Sequence, residues 1–334
     1  MFGILQKITK NLVVAIPVMM TAGFLYGLFA DARWLTALIV PFTFLMVYPM
    51  MVTLKIKKVF EGGDGKAQIL TQLLNFGVVP FLAYGIGLLF FKDAPSLALG
   101  LLLVGLVPTS GMTISWTGFA KGNMSAAIKM TVIGLVCGSL ATPVYVQALM
   151  GETLSIEILA VFKQIVLIVF LPMFLGFVTQ RALVKRYGQT VFQKKVGPKF
   201  PPISTLGVLG IVFVALALKA RTIVSAPEVL FDILVPLILI YSVNFVLSTV
   251  IGKFFLSRDD AIALVYGSVM RNLSIALAIA LNAFGQKGSD AALVLALAYV
   301  IQVQSAAWYV RFTSRIFGFP QAVVENMVSP PLKG

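Results

Sequence analysis

Ten apolar stretches, each long enough to cross a hydrocarbon core of about 30 Å, follow one another along this chain with only short connections between them. They fall at about residues 9–30, 34–54, 68–91, 96–120, 124–149, 158–182, 203–219, 227–252, 260–284 and 289–316. In lipid, every backbone N–H and C=O needs a partner inside the protein, so stretches of this length predict helices. The expected fold class is an all-α membrane protein of about ten transmembrane helices, without a separate soluble domain. Composition agrees: of 334 residues, 59% are hydrophobic and 11% charged, which excludes a water-soluble fold. The basic stretch Met1 to Lys10 runs into an apolar segment long enough to span, so it reads as leading a retained first helix rather than a cleaved leader.

A net charge of +14 invites a nucleic-acid reading, and the positions of the cations argue against it. With the N-terminus placed in the cytoplasm, 18 of the 26 Lys and Arg residues fall on that side and six on the other, while Lys129 and Arg271 lie within spans. This asymmetry predicts both termini inside, in a plasma (inner) membrane whose lipid bilayer is the partner, with no nucleic acid. Lys129, near the start of the fifth span, is expected to snorkel to the cytoplasmic surface; Arg271, in the middle of the ninth, has no such route. No oligomeric state is read from the residues.

The chain has no His and one Cys, so a zinc site or a Ser-His-Asp triad cannot be built. With no acidic residue mid-span either, no enzyme and no cofactor are expected. Cys137, inside an apolar run, reads as a small buried hydrophobe.

Five spans precede Met150 to Ser155 and five follow. An odd number per half forces a repeat to be inverted in the membrane, an arrangement used by many secondary transporters. The expected division is 1–150 and 151–320 as two five-helix repeats, with 321–334 as a cytoplasmic tail. The fourth and ninth spans, equivalent in the two halves, both carry interruptions: Gly105-Leu-Val-Pro108-Thr109-Ser110-Gly111-Met-Thr113 and Gly267-Ser268-Val-Met270-Arg271-Asn272-Leu-Ser274. Pro108 lacks an amide hydrogen and Gly111 adds freedom, so Thr109 and Ser110 are expected on an unwound segment of the fourth span. An Arg at the centre of a span costs about 2.5–3.5 kcal/mol on insertion scales and marks a site or a lock. Arg271 either attracts an anionic substrate, takes the place of a coupling cation, or caps carbonyls structurally. Asn75, Thr131, Asn244, Asn272, Asn282, Gln302 and Gln304 read singly as contacts between helices, and the Gly23–Gly27 and Gly134–Gly138 pairs as close packing.

The runs Pro108-Thr-Ser-Gly-Met-Thr-Ile-Ser-Trp116 with Ala120-Lys-Gly-Asn123, Arg271-Asn-Leu-Ser-Ile-Ala-Leu-Ala-Ile-Ala280, and Asn75-Phe-Gly-Val-Val-Pro80 resemble the bile acid:sodium symporter superfamily. Val47-Tyr-Pro49 and Ser115-Trp116 lean toward its arsenite-exporter branch. The resemblance implies a panel (first, second, sixth and seventh spans), a core holding the rest with its broken fourth and ninth helices crossing at the midplane, and alternating access of one against the other. It leaves Thr131, Asn75 and Ser268 as ion positions. Yet Thr113-Ile114, Gly267 and Arg271 stand where sodium-coupled relatives place Ser-Asn, Glu and Gln, and a guanidinium opposes a bound cation, which argues against sodium coupling. Thr109 and Ser274 stand where the arsenite branch supplies Cys and Glu, which argues against thiol-based export. The expected function is transport of a small organic anion, with Arg271, Asn272, Thr109, Ser110, Thr113 and Ser274 as the substrate site. Metalloid or oxyanion efflux, and a receptor or structural role without transport, are the alternatives.

Overall fold

The computed structural model of the protein describes residues 5–6, 8–9, 11–54, 62–154 and 158–319. The tail expected at 321–334, the cations Lys7, Lys10, Lys55, Lys57, Lys58 and Lys333, and positions 155–157 at the expected junction lie outside the described residues. These are helical almost throughout: α1 (Leu12–Phe29), α2 (Ile39–Val52), α3 (Gly65–Phe90), α4 (Pro95–Leu106), α5 (Gly111–Phe119) and α6 (Met124–Leu154), then α7 (Val161–Tyr187), α8 (Phe200–Ser225), α9 (Glu228–Phe255), α10 (Arg258–Val269), α11 (Leu273–Ala283) and α12 (Gly285–Phe317). Each of the ten expected stretches holds one helix or one broken pair.

Among the described residues, eight helical runs are long and apolar enough to cross a membrane. The pair α4 and α5, bent by 59°, makes a ninth, and α1 is a shorter apolar helix at the first expected stretch. The protein is thus an all-α, multi-pass membrane protein.

The helices sort into two packed groups. α8 lies along α1 and α2, and α2 packs on α7; separately, α4 packs on α3 and α12, α9 on α10, and α11 on α12. Glycines allow the closest approaches. A Cβ at Gly23 would lie 2.3 Å from the Phe213 carbonyl oxygen, and one at Gly27 would lie 2.1 Å from that of Ala217, so α1 and α8 meet backbone to backbone. On α6, Gly134 makes room for Thr109 and Gly138 for Pro108, which seats the α4–α5 break directly against that helix.

α3 shows how a proline is accommodated at membrane depth. Pro80 cannot donate to the Phe76 carbonyl one turn earlier, and the backbone widens into a π turn over Leu73–Val78. The Tyr145 hydroxyl of α6 donates to the freed Phe76 carbonyl at 2.5 Å. The same widened turn carries Asn75 into the protein interior, where it is fully buried.

Two expectations are corrected. Lys129 does not snorkel: it is 2% exposed, and its ammonium group donates to Asp64 at 2.5 Å and to the Gly62 carbonyl at 3.1 Å. A carboxylate held just before α3 offers a nearer neutraliser than the surface, and Gln68 braces that carboxylate at 3.2 Å. Cys137 is not buried but exposed, because in a membrane an apolar run covers the outward face of a helix as readily as its inward one.

Removing one member of a buried ion pair leaves the other uncompensated, at about 3–5 kcal/mol. Lys129→Met should therefore lower the unfolding midpoint of the purified protein markedly, and the double variant K129M/D64N should recover much of that loss. Equal midpoints for wild type and K129M would mean that the pair contributes nothing.

Candidate functional site

The fourth and ninth spans each stop and restart, and the two breaks meet. The Asn272 amide, between α10 and α11, donates to the Val107 carbonyl, between α4 and α5, at 2.8 Å. Two helix C-termini (α4, α10) and two N-termini (α5, α11) therefore converge. Each broken end exposes backbone groups that water would satisfy elsewhere and that here require the protein.

The C-terminal side is satisfied largely by one residue. Pro108 has no amide hydrogen, so the Val104 carbonyl loses its helical donor; Arg271 Nε donates to it instead at 2.9 Å. Arg271 Nη2 donates to the Gly105 carbonyl, the next one freed as α4 ends. Nη1 donates to Asn75 Oδ1 at 2.7 Å and to the Ser268 carbonyl at 2.9 Å. The Ser268 carbonyl is free because its helical donor, the Asn272 amide, has gone to Val107. Asn244 Nδ2 also reaches it at 3.1 Å, while Asn244 Oδ1 accepts from the Ser268 hydroxyl at 2.8 Å. The Gly267 carbonyl receives Asn75 Nδ2 at 3.0 Å. Since that amide nitrogen is spent on a carbonyl, the Asn75 oxygen is fixed toward the guanidinium.

The peptide of Arg271 is held as firmly as its side chain. Gln302 Oε1 accepts from the Arg271 amide at 2.8 Å, its Nε2 donates to the Arg271 carbonyl at 3.1 Å, and Tyr241 donates to the same Oε1 at 2.9 Å. Arg271 is 2% exposed, one of the largest fully enclosed side chains in the molecule. A small cavity of about 10 Å³, room for about one water, adjoins it, lined by Val79, Val104, Ile240, Tyr241, Asn244 and Arg271.

On the N-terminal side, Ser110 caps α5. Its hydroxyl accepts from the Met112 amide at 3.2 Å, and the Thr113 hydroxyl accepts from the Ser110 amide at 3.3 Å, a capping box. Asn272 Oδ1 caps α11 through the Ile275 amide at 3.3 Å. Gly111, the first residue of α5, is exposed, and a side chain built there would meet nothing within 4 Å. This N-terminus therefore faces open space.

The remaining expected site residues are placed as follows. Thr109 is fully buried with φ +59°, a left-handed conformation that a β-branched residue rarely adopts, and its hydroxyl donates to the Met130 carbonyl at 3.1 Å. Thr113 is fully buried and donates to the Tyr266 carbonyl at 3.3 Å. Ser274, half-buried, shares a 2.5 Å hydrogen bond with Tyr299. Of the residues expected to hold an ion, Asn75 and Ser268 adjoin Arg271. Thr131 lies on the other side of the α5 N-terminus, donating to the Ala127 carbonyl at 2.8 Å. At Gly267 a Cβ would lie 2.6 Å from the Met130 sulfur, so that space is filled. Among the described residues, no group of His, Cys, Asp or Glu is arranged to hold a metal.

Sequence reasoning singled out Arg271 but not its carbonyl partners. The signal was present: a proline frees the carbonyl four residues before it, and Val104 stands four before Pro108. Gln302 read only as glue between helices, and nothing in its neighbours points to the Arg271 peptide.

Comparison with known proteins fits this geometry. The profile of the sodium bile acid symporter family matches residues 40–226, more than half of the chain. The chain belongs to this family. It is 25% identical over 296 residues to the arsenical-resistance protein Acr3 of Alkaliphilus metalliredigens, covering 84% of this chain and 83% of that one. To the Acr3 of Corynebacterium glutamicum it is 22% identical over 259 residues, covering 74% and 70% respectively. An uncharacterized sodium-dependent transporter, YocS, of Bacillus subtilis is 23% identical over 253 residues, covering 74% and 75%. The protein is accordingly a membrane transporter and not an enzyme.

If Asn75 satisfies both the Gly267 carbonyl and the guanidinium, its removal orphans two buried groups at about 1–3 kcal/mol each. Asn75→Ala should lower the unfolding midpoint by several degrees. A midpoint unchanged from wild type would show that neither bond contributes.

Proposed function

We propose that this transporter carries a small organic anion by alternating access, in a site beside the crossing of the broken helices. The observation that carries this reading is an uncompensated positive charge at the crossing. No Asp or Glu stands between residues 94 and 151 or between 261 and 289, the stretches that hold both breaks. Each helix end carries about half an elementary charge, negative at a C-terminus and positive at an N-terminus. The two C-termini around Arg271 together offset its charge, and the two N-termini opposite them are left as about one positive elementary charge with no acid to balance it.

The open ground beside Gly111, at the N-terminus of α5, is where an anionic head would find free space and a helix end of favourable sign. Ser110 and Ser274 would offer it hydroxyls on giving up their present bonds to the Met112 amide and to Tyr299. Arg271, Asn272, Thr109 and Thr113, also read as substrate residues, act in this conformation by charge and by shaping the breaks, since their polar atoms are engaged within the protein. The grouping of α1, α2, α7 and α8 against the other helices supplies the two bodies whose relative movement would expose the site to one side and then the other. The chain would comprise two inverted five-helix units, 1–150 and 151–320, in the plasma membrane with both termini cytoplasmic. The excess of Lys and Arg on that side supports this orientation.

The reading is tested by thermal unfolding of the purified protein across small carboxylates and sulfonates, because a ligand that binds only the folded state raises its stability. At least one anion should raise the midpoint. A unit charge about 6 Å from the ligand, at an effective dielectric of about 20, is worth about 3 kcal/mol, so Arg271→Met should weaken that binding about a hundredfold. An anion that binds R271M as well as wild type would remove Arg271 from the site.

The two Acr3 relatives favour a second reading, efflux of arsenite or a related oxyanion. It predicts that bacteria lacking their own exporter survive arsenite when they express this protein. Unchanged sensitivity, with the protein present in the membrane, would end it.

A further inference from the structure

The guanidinium of Arg271 is coordinated as a bound cation would be. Its neighbours are oxygens from three separate elements: the Val104 and Gly105 carbonyls closing α4, the Ser268 carbonyl closing α10, and Asn75 Oδ1 from the widened turn of α3. None is a carboxylate. Two helix C-termini supply about one negative elementary charge between them, enough to balance a single positive charge and no more. An ordinary buried arginine is matched by an acid; this one is matched by dipoles, as free monovalent cations are in sites lined by carbonyls.

The cage does not depend on the arginine for its shape. Asn75 is oriented by its bond to the Gly267 carbonyl, Ser268 by Asn244, and the backbone at residue 271 by Gln302, itself held by Tyr241. The Val104 and Gly105 carbonyls are left without helical donors by Pro108 and by the end of α4. With the side chain cut back, the oxygens would keep their positions and their need for a positive partner, and the cage would open into the small cavity at its edge.

We propose that the crossing of the broken helices is a monovalent-cation site whose cation is the Arg271 side chain, and that shortening this side chain turns the cage into a binding site for a free cation. The protein thereby carries its cation covalently, and the wild-type cycle requires no sodium. This inference stands whichever small molecule is transported, because it concerns the cation cage and not the open ground at Gly111.

The test uses wild type, R271A, R271Q and R271M, purified in detergent, with thermal unfolding followed in low concentrations of guanidinium chloride or sodium chloride against choline chloride at matched ionic strength. R271A should be destabilised and should recover several degrees with guanidinium, which replaces the lost group. R271Q, which retains an amide beside the cage, should gain a sodium-dependent rise of a few degrees. R271M, which fills the space without charge, and wild type, whose cage is occupied, should respond to neither cation. Should R271A not fold, R271Q carries the test alone. The proposal is overturned if folded R271Q, and R271A where it folds, respond to neither cation, which is the behaviour of a purely structural lock. It is equally overturned if sodium stabilises wild type. Failure of the anion panel in the wild-type protein would remove the transport reading and leave this result standing.

Discussion

Everything near the midplane of this protein follows from one constraint: a helix broken inside a membrane must find donors for the carbonyls it frees, and lipid offers none. Two breaks meet here, so the demand is concentrated at one point. Arg271 answers most of it, with a planar fork whose donors reach three carbonyls and an amide oxygen together. A lysine offers one point charge and could not span those positions. Its surroundings are set up independently of it: Pro80 accompanies the π turn that brings Asn75 inward and leaves the Phe76 carbonyl in need of the donor that Tyr145 provides.

The same demand explains why the polar residues of the core cluster so tightly. Asn75, Asn244 and Gln302 come from α3, α9 and α12, and each makes two or more bonds with the backbone or side chains of residues 267–271. Polar groups in a membrane interior are tolerated when fully satisfied and are costly otherwise. Their convergence on five consecutive residues turns a local failure of helical bonding into a rigid junction.

Most of the architecture was legible in the sequence because membrane spans announce themselves by length and composition. All ten stretches contain helices, and Pro108 and the Gly267–Ser274 run marked both breaks to within a few residues. What stayed illegible depends on tertiary placement. Lys129 was given a route to water because Asp64, 65 residues earlier, carries no sign that it will fold beside it. Cys137 was read as buried because an apolar stretch does not distinguish lipid from protein. For Arg271 the sequence offered three roles, and choosing among them depended on knowing that the carbonyls of Val104 and Gly105 end beside residue 271.

The two sides of the crossing are treated unequally. At the C-terminal ends, side chains from three helices, α3, α9 and α12, and Arg271 from the break itself engage the freed backbone. At the N-terminal ends the caps are local, Ser110 with Thr113 for α5 and Asn272 for α11, and Gly111 is exposed. A side chain larger than hydrogen would fit at Gly111 without collision, so close packing does not account for the glycine there. Its φ is not in the left-handed region either. What glycine does provide is an unobstructed approach to its own amide, at the helix end whose partial charge is positive. A crossing built for rigidity alone would have covered every helix end; this one buries both C-termini and the start of α11 and leaves Gly111, at the start of α5, exposed.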